Sequence, residues 1–567
     1  MTEFGVRKFR GILRGCLALT AVGNLVGFCG SALAGHFLGA NALAGVALGM
    51  PVVSLCAFVS VLLGTGMGIT YSLRRGRADT DGADVVFMQA IWTALAVGGA
   101  LALVIHFGLD HYLAFMHPEA AAAAHAREYW RFLPFAAILM PMSAIFINCS
   151  QCDGDSWFVV LASSIMLVVT LAVSAVLLAD GRGAAACSFG LIAGYAVNLA
   201  VLALHFKSRS NTFRFRARFR LADSFRIIRA SIGDASSALC SAFFYLLLGK
   251  LIISAFGASG LVYLPVFVFI NEIGSVTDAF GVAIQPVITV YFGERNPRMV
   301  RAIAEDAIRL GAVFASVVAA LFMLAPAAVL SLVALEGSAD AKLADAVVRC
   351  SAAALPAMAV MSVLNNYYQC IERETLAVIE STALYLVAPL VALGVFAFVG
   401  RDYFWWWWPA AKWGGLAVFA LVIRFRCGRR SFPLLLDHAR EQKIFMFNLR
   451  LDELAISRTA EDVGELVRAA GGPGARARLL VEEVLMAIKD HNRARKVYAE
   501  VTADFNDGIR LVIRDDGKIF DITDTDGQVS SLRTYLVAAL MNRQHHRRNL
   551  LTTGYNRNIF RLDAAPQ

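Results

Sequence analysis

The sequence predicts an all-α polytopic membrane protein with twelve transmembrane helices in two six-helix bundles, followed by a C-terminal α/β two-layer sandwich domain. Three observations support this prediction. The chain of 567 residues is 58% hydrophobic and only 17% charged, which is too apolar for a soluble globule of this size. One stretch of the first half recurs in the second half, and after Arg430 the composition becomes that of a soluble domain.

A membrane-spanning helix needs about 20 mostly apolar residues. Runs of that length lie near 11–34, 43–72, 85–108, 131–150, 157–179, 184–205, 231–256, 260–291, 303–333, 348–369, 377–399 and 405–423. We therefore expect an N-terminal bundle in 1–215, a C-terminal bundle in 216–430 and a separate domain in 440–567.

An internal repeat relates the two predicted bundles. A Gly39-Ala40 turn precedes a long apolar helix in the first half, and Gly257-Ala258 does so in the second, at a separation of 218. Gly76 and Gly293 end these helices before a charged turn, at a separation of 217. Six spans per copy give both copies the same orientation, related by an axis along the membrane normal.

Arginine and lysine collect in the predicted loops on one side of the bundles, including both ends of the membrane part. The positive-inside rule places that side in the cytoplasm, so we expect a multi-pass protein of the bacterial inner (plasma) membrane with both termini cytoplasmic. Loops that face anionic lipid explain the net charge of +9, and no nucleic-acid partner is expected. The aromatic run Phe404–Trp408 is expected in the belt at the outer surface.

Charged and polar groups within the predicted spans are the candidates for a functional site, because a charge in a membrane helix is costly unless it faces water, an ion or a partner. The candidates are Asp234, Lys250, Glu272, Asp278, Gln285 and Glu380. Glu272 is the first choice for a proton or cation site and Asp278 the second. The alternative is that Lys250 pairs with one of the acids and merely neutralises it. Gln285-Pro286 is expected to break the eighth span.

Several motifs resemble those of multidrug and toxic compound extrusion (MATE) transporters. They are Gly39–Ala44, Pro51, Ser72–Gly76, Gln151–Asp155 and Gly281–Pro286 through to Gly293. The resemblance covers roughly residues 10–425. It implies a V-shaped cavity between two rocking bundles and export of small organic cations or drugs in exchange for protons or sodium. Many MATE proteins carry an aspartate in the first span, where Asn24 is the most polar group here, so we expect the C-terminal bundle to carry the ion coupling.

The C-terminal region has an α/β pattern. Strands are expected at 444–451, 497–503, 509–514 and 558–562, and helices at 459–470, 475–490 and 529–542. Leu480–Ile488 and Asp515–Asp521 resemble the ATP-binding domain of anti-sigma-factor kinases, a histidine-kinase-type fold. The resemblance makes Glu482 a general base, Asp515 the acceptor for the adenine amino group, and Gly517 the residue that lets the backbone approach the base.

The motifs of this domain are degenerate. Met486 stands where the family has a Mg²⁺-binding asparagine, and a thioether is a poor ligand for a hard cation. The phosphate-binding loop keeps only Gly554, although such a loop needs several glycines. We therefore expect no enzymatic activity and no metal site. Two alternatives stay open, which are ATP binding without turnover and a protein-docking module without nucleotide.

The predicted function is that of a cation-coupled antiporter that needs no cofactor beyond its coupling ion, proton or sodium, and carries a regulatory cytoplasmic domain. Two alternatives remain. A lipid-linked saccharide flippase would need a basic cavity, and a non-transporting membrane receptor would signal through the C-terminal domain to a cytoplasmic regulatory protein.

Overall fold

The computed structural model describes residues 3–77, 79–116, 120–208, 211–215, 220–237, 239–240, 243–244, 248, 267, 270–271, 273–327, 341–396, 401–427, 433–493, 495–518, 536–537, 540, 547–551 and 555–562. The chain up to residue 427 is helical where it is described, apart from turns and connections. A small antiparallel sheet with two long helices follows.

The first half of the chain forms long helices. They are α1 (Phe4–Gly76), α2 (Thr80–Met116), α3 (Ala120–Trp130), α4 (Leu133–Cys152), α5 (Ser156–Ala179) and α6 (Ala185–Ala203), followed by the shorter α7 (Leu221–Ala230). Alanine and leucine dominate these sequences and favour helix intrinsically. A bilayer further requires that the backbone satisfy its hydrogen bonds within each spanning segment.

The second half continues in the same way. A helical segment at 232–237 precedes α8 (Asp278–Gly293), α9 (Pro297–Leu324), α10 (Ala341–Cys370), α11 (Glu374–Thr382), a π-helical turn (Ala383–Val387), α12 (Ala388–Phe396) and α13 (Trp407–Cys427). The start of α9 is fixed by Asn296, whose side chain accepts a hydrogen bond from the Met299 backbone N–H at 3.1 Å, with Pro297 in the first turn.

Nine helical segments among the described residues are long and apolar enough to cross a membrane. The predicted seventh span, 231–256, lies largely outside the described residues. The total of twelve spans therefore stays a prediction.

Two predictions about helix ends are wrong. The expected turn at Gly39-Ala40 is absent from the described backbone, because α1 runs without a break from Phe4 to Gly76. A glycine beside alanines lowers helix propensity without ending a helix. The expected break at Gln285-Pro286 is also absent, since both residues lie inside α8. A proline within a helix removes one backbone hydrogen bond and can bend the helix instead of ending it.

The aromatic run before and within α13 is mostly buried inside the protein, with Trp406 exposed, and its place in an outer belt stays a prediction. Trp405, Trp407 and Trp408 are buried together with Phe244 and Phe267 in one hydrophobic cluster. Consecutive aromatic residues point in different directions around a helix, so several members of the run must face the neighbouring helices.

Helices α1 and α8 cross where both end, and this crossing joins the two halves. A Cβ atom on Gly76 would lie 2.4 Å from the Val290 carbonyl oxygen, and one on Gly293 would lie 2.7 Å from the Leu73 carbonyl oxygen. Leu73 and Val290 are separated by 217 residues, as Gly76 and Gly293 are. The contact is therefore reciprocal, as the internal repeat predicts for this pair of glycines.

The C-terminal domain begins with α14 (His438–Glu441) and continues with β1 (Ile444–Arg450), α15 (Glu453–Ala469), α16 (Gly474–His491), β2 (Tyr498–Asp504), β3 (Ile509–Asp515), β4 (Arg547–Leu551) and β5 (Tyr555–Leu562). The strands form one antiparallel sheet in the order β1-β2-β3-β5-β4. Strand β4 was not predicted. Of the helix predicted at 529–542, only residues 536, 537 and 540 are described, and they are helical.

The two faces of this sheet have different neighbours. Residues such as Val501 and Leu511 share a hydrophobic core with α15 and α16. Alternation along a strand sends the intervening residues, such as Glu500 and Arg514, to the opposite face. That face packs against the ends of α1 and α8. We call this end of the bundles the domain side.

Candidate functional site

A buried carboxylate, Glu380, lies at the centre of a polar network between α10 and α11. Its side chain is completely buried, and its Oε2 atom accepts a hydrogen bond from Asn365 Nδ2 at 2.6 Å. Gln369 Nε2 donates to Asn365 Oδ1 at 2.8 Å, which orients the Asn365 amide. Glu380 Oε1 is buried and has no hydrogen-bond partner among the described residues, so this oxygen can accept a proton or coordinate a cation.

A lysine on α13, which was not among the predicted site residues, faces the same network. Lys412 is 1% exposed, and its ammonium donates to the Leu384 carbonyl oxygen at 3.2 Å. It also lies over the rings of Tyr385 and Trp408, at 4.5 and 4.4 Å from their centroids. Its charge interacts with those of Glu380 and Asp278. The signal that could have found it is its position inside the predicted span 405–423.

Two aspartates complete the cluster. Asp278 is exposed at the first residue of α8, and Asp234 lies partly buried in the helical segment at 232–237. The two like charges interact. The neighbouring Gly233 carbonyl oxygen accepts a hydrogen bond from Ser381 Oγ at 2.8 Å, and this bond holds the segment beside Glu380.

The cluster has a clear electrostatic character. Three carboxylates and one ammonium leave a net charge of −2 when all four groups are ionised. A membrane-embedded group of this kind favours the entry of positive charge, whether as a proton, a metal cation or an organic cation. The structure thus brings together three of the predicted residues, Asp234, Asp278 and Glu380, and adds Lys412 to them.

The remaining predicted residues of the membrane part are not described as members of this cluster. Gln285 is buried and donates to Asn366 Oδ1, so it connects α8 to α10. Glu272 and Lys250 lie outside the described residues. Asn24 donates to Ser275 Oγ at 3.2 Å and thereby links α1 to the turn before α8.

In the C-terminal domain, two predicted nucleotide-site residues lie together. Asp515 Oδ1 accepts hydrogen bonds from the Gly517 backbone N–H and from Asn556 Nδ2, both at 2.9 Å. Asn492 Oδ1 accepts a bond from the backbone N–H of Lys518 at 2.8 Å and fixes the same loop.

The other residues of the predicted nucleotide site lie in different surroundings or outside the described residues. Glu482 lies half-buried on α16, and Gly554 is outside the described residues. Met486 packs against the hydrophobic core of the domain. The described residues therefore offer no metal ligand at position 486, and the role of Asp515 as the acceptor for an adenine amino group stays a prediction.

Comparisons with known proteins concern the fold of the membrane part. Residues 18–176 match the family model MatE. No curated protein sequence matches the chain. Among solved structures, a MATE protein in the bent conformation is 20% identical with a TM-score of 0.67, and the match covers 75% of this chain and 98% of that one. An outward-facing multidrug resistance transporter of the MATE family and the MOP superfamily matches with the same identity and coverage and a TM-score of 0.69.

A third similar structure is a MOP superfamily transporter from Pyrococcus furiosus. Its binding pocket is described as having reverse polarity, which suggests a different function for that protein. It is 20% identical to this chain with a TM-score of 0.65, and the match covers 75% of this chain and 98% of that one. The membrane part of this chain therefore has the fold of the MATE transporters.

Proposed function

We propose that the protein is a MATE-type secondary active transporter that exports small organic cations or drugs in exchange for protons or sodium ions. The observation that carries the proposal is the acidic cluster of Asp234, Asp278 and Glu380 around Lys412 in the C-terminal bundle. The proposal adds the orientation expected from the positive-inside rule, with the domain side in the cytoplasm of a bacterial inner-membrane protein.

The cluster supports an exchange mechanism on electrostatic grounds. Asp278 is exposed, and its repulsion from Asp234 is relieved when a cation binds. Glu380 offers a buried oxygen for a proton or sodium ion. When both cations depend on the same negative charge, the binding of one weakens the binding of the other, and this competition is the physical basis of antiport.

Neutralisation of the acids tests the proposal. Purified full-length protein would be placed in proteoliposomes, and ethidium movement would be followed by fluorescence under an imposed pH or sodium gradient. We expect Asp278→Asn, Asp234→Asn and Glu380→Gln each to lower gradient-driven ethidium exchange at least about tenfold, because each removes one negative charge from the site.

The control is Asp110→Asn, an identical change at an aspartate whose side chain is 81% exposed. This variant should exchange ethidium like the wild type. Wild-type protein that moves no ethidium under either gradient, or acid variants as active as the control, would contradict the proposed function.

A further inference from the structure

The free face of the C-terminal sheet makes a buried, charged contact with the second bundle. Arg514 of β3 and Arg557 of β5 are 1% and 0% exposed. Both contact the carboxylate of Glu294, which directly follows α8, and each guanidinium binds a different oxygen of that carboxylate. Arg510 adds a hydrogen bond to the Glu294 backbone carbonyl oxygen at 2.6 Å.

The same arginine also contacts the first bundle. Arg557 donates to the Arg75 carbonyl oxygen at 2.8 Å and to the Gly76 carbonyl oxygen at 3.1 Å. The last carbonyl groups of a helix have no partner within the helix and carry the negative end of its dipole. A single buried guanidinium therefore binds the ends of α1 and α8 at the same time.

Other contacts attach the domain to both bundles around this arginine. On the side of α1, the Phe4 backbone N–H donates to Asn448 Oδ1 at 2.8 Å, and Arg7 pairs with Asp516. On the side of α9, Arg298 donates to the Ile444 carbonyl oxygen at 3.3 Å. A further ion pair joins Arg295 and Asp507 at 3.1 Å, and the Arg440 guanidinium beside Asp507 lowers the pKa of that carboxyl group.

The helix ends held by Arg557 are packed closely against each other. Gly76 and Gly293 leave no room for side chains at the α1–α8 crossing. Arg10 of α1 forms two hydrogen bonds to Asp306 of α9, at 2.9 and 2.6 Å. Opening of the domain side requires α1 and α8 to part, and Arg557 cannot keep its bonds to both helices when they do.

The charges within the contact make the separation costly. Glu294, Glu500, Arg514 and Arg557 form a buried group of two carboxylates and two guanidinium ions. Such a group is stable while its charges stay paired. A charge that loses its partner and stays buried lowers the stability of the protein strongly. The docked domain therefore favours the closed arrangement of the two bundles.

We propose that the C-terminal domain is a clasp that holds the domain side of the transporter shut, and that it must release one bundle before this side can open. The proposal rests on the proposed function, because the opening of this side is taken to be a step of transport. It assigns the domain a direct mechanical role on its own membrane part, through Arg557 and Glu294.

Distances between the bundles test the clasp independently of transport. Nitroxide side chains would be introduced as unnatural amino acids at Lys207 of the first half and Thr375 of the second, which are both exposed. Double electron–electron resonance on the full chain in lipid nanodiscs would report the distance between them. We expect one short-distance population in the wild type and a longer-distance population that grows at least several-fold in Arg557→Gln and in Glu294→Gln.

Arg561→Gln, a change of an exposed arginine on the same strand, is the matched control and should keep the wild-type distances. Hydrogen exchange of β2 and β3 checks that the domain stays folded in each variant. If Arg557→Gln disturbs the fold of the domain, the distances in Glu294→Gln test the clasp instead. Unchanged distances in a folded Glu294→Gln variant would overturn the clasp, even if ethidium exchange is normal. Altered distances without any ethidium exchange would support the clasp and refute the proposed transport.

Discussion

Lys412 illustrates what a single residue contributes to the site. Its ammonium is buried, bonded to a carbonyl oxygen and placed over two aromatic rings, so its position is fixed. The sequence placed this lysine in a span but gave no sign of its neighbours, because its contacts with Leu384 and Tyr385 of the π-helical turn depend on how the helices pack. The acids Asp234, Asp278 and Glu380 could be singled out from the sequence alone, since any carboxylate within an apolar run is unusual.

The charge of Lys412 leads to a prediction about affinity. Lys412→Met keeps the length of the side chain and removes the positive charge, so the cluster becomes more negative and attracts cations more strongly. We expect the half-saturating ethidium concentration in proteoliposomes to fall by roughly tenfold, equivalent to about 1.4 kcal/mol. Turnover should slow because release becomes slower.

The conservative variant Lys412→Arg separates charge from packing. It keeps the positive charge and should stay close to the wild type in half-saturating concentration. Equal values for the methionine and arginine variants would show that the charge of Lys412 does not act on the bound cation.

Among the elements, the pair α1 and α8 shows how far the repeat could be predicted. Gly76 and Gly293 were matched by spacing alone, and the structure places them in reciprocal contact. The turns after α4 and α10 are also related by the spacing of the repeat. Gly154 and Glu372, separated by 218 residues, both have positive φ angles, of 85° and 57°. The continuous course of α1 was not predicted, because Gly39 was interpreted as part of a turn. A glycine indicates a turn reliably only when neighbouring residues also break the helix.

Glycine at the crossing gives a prediction at the scale of helix packing. Gly76→Ala and Gly293→Ala would each force a methyl group against a backbone oxygen, at 2.4 and 2.7 Å. We expect each substitution to lower stability by about 1–3 kcal/mol, as overpacking does. Similar losses from both variants would follow from the reciprocal contact.

The measurement is thermal unfolding of the detergent-solubilised chain, followed by tryptophan fluorescence. Gly11→Ala on the exposed face of α1 is the control, because no atom lies within 4 Å of its Cβ position. This control should be neutral or stabilising by up to about 1 kcal/mol, the helix propensity gain of alanine over glycine. A Gly76→Ala variant that unfolds at the same temperature as Gly11→Ala would contradict the tight crossing.

At the scale of the whole molecule, the sequence predicted the parts better than their assembly. The strands and helices of the C-terminal domain were predicted from local periodicity, apart from β4. The contact of this domain with the membrane part was not predicted, since Glu294 and Arg557 are 263 residues apart and each resembles an ordinary surface charge in sequence. The division at 1–215, 216–430 and 440–567 stays a prediction.

The docked arrangement bears on the two readings of the C-terminal domain. The sheet face opposite α15 and α16 is occupied by the protein's own helices, so this face is not available to another protein while the domain stays docked. Asp515 and Gly517 lie near α16 through Asn492. The residue between them, Asp516, pairs with Arg7 of α1, so this loop also lies beside a docked helix.

We expect the full-length protein to bind ATP without hydrolysing it. The Asp515 carboxylate can accept a hydrogen bond from the adenine amino group, whereas Met486 cannot hold the magnesium ion that phosphoryl transfer requires. Calorimetric titration of the detergent-solubilised chain with magnesium ATP should give a binding isotherm, and Asp515→Ala should weaken the affinity at least about tenfold, since a carboxylate hydrogen bond is worth roughly 1.5–3 kcal/mol. Asp462→Ala, at an exposed position of α15, should bind ATP like the wild type. Release of inorganic phosphate by the wild type would refute the expected lack of hydrolysis. The absence of binding heat would refute nucleotide binding and leave the clasp as the domain's only proposed role.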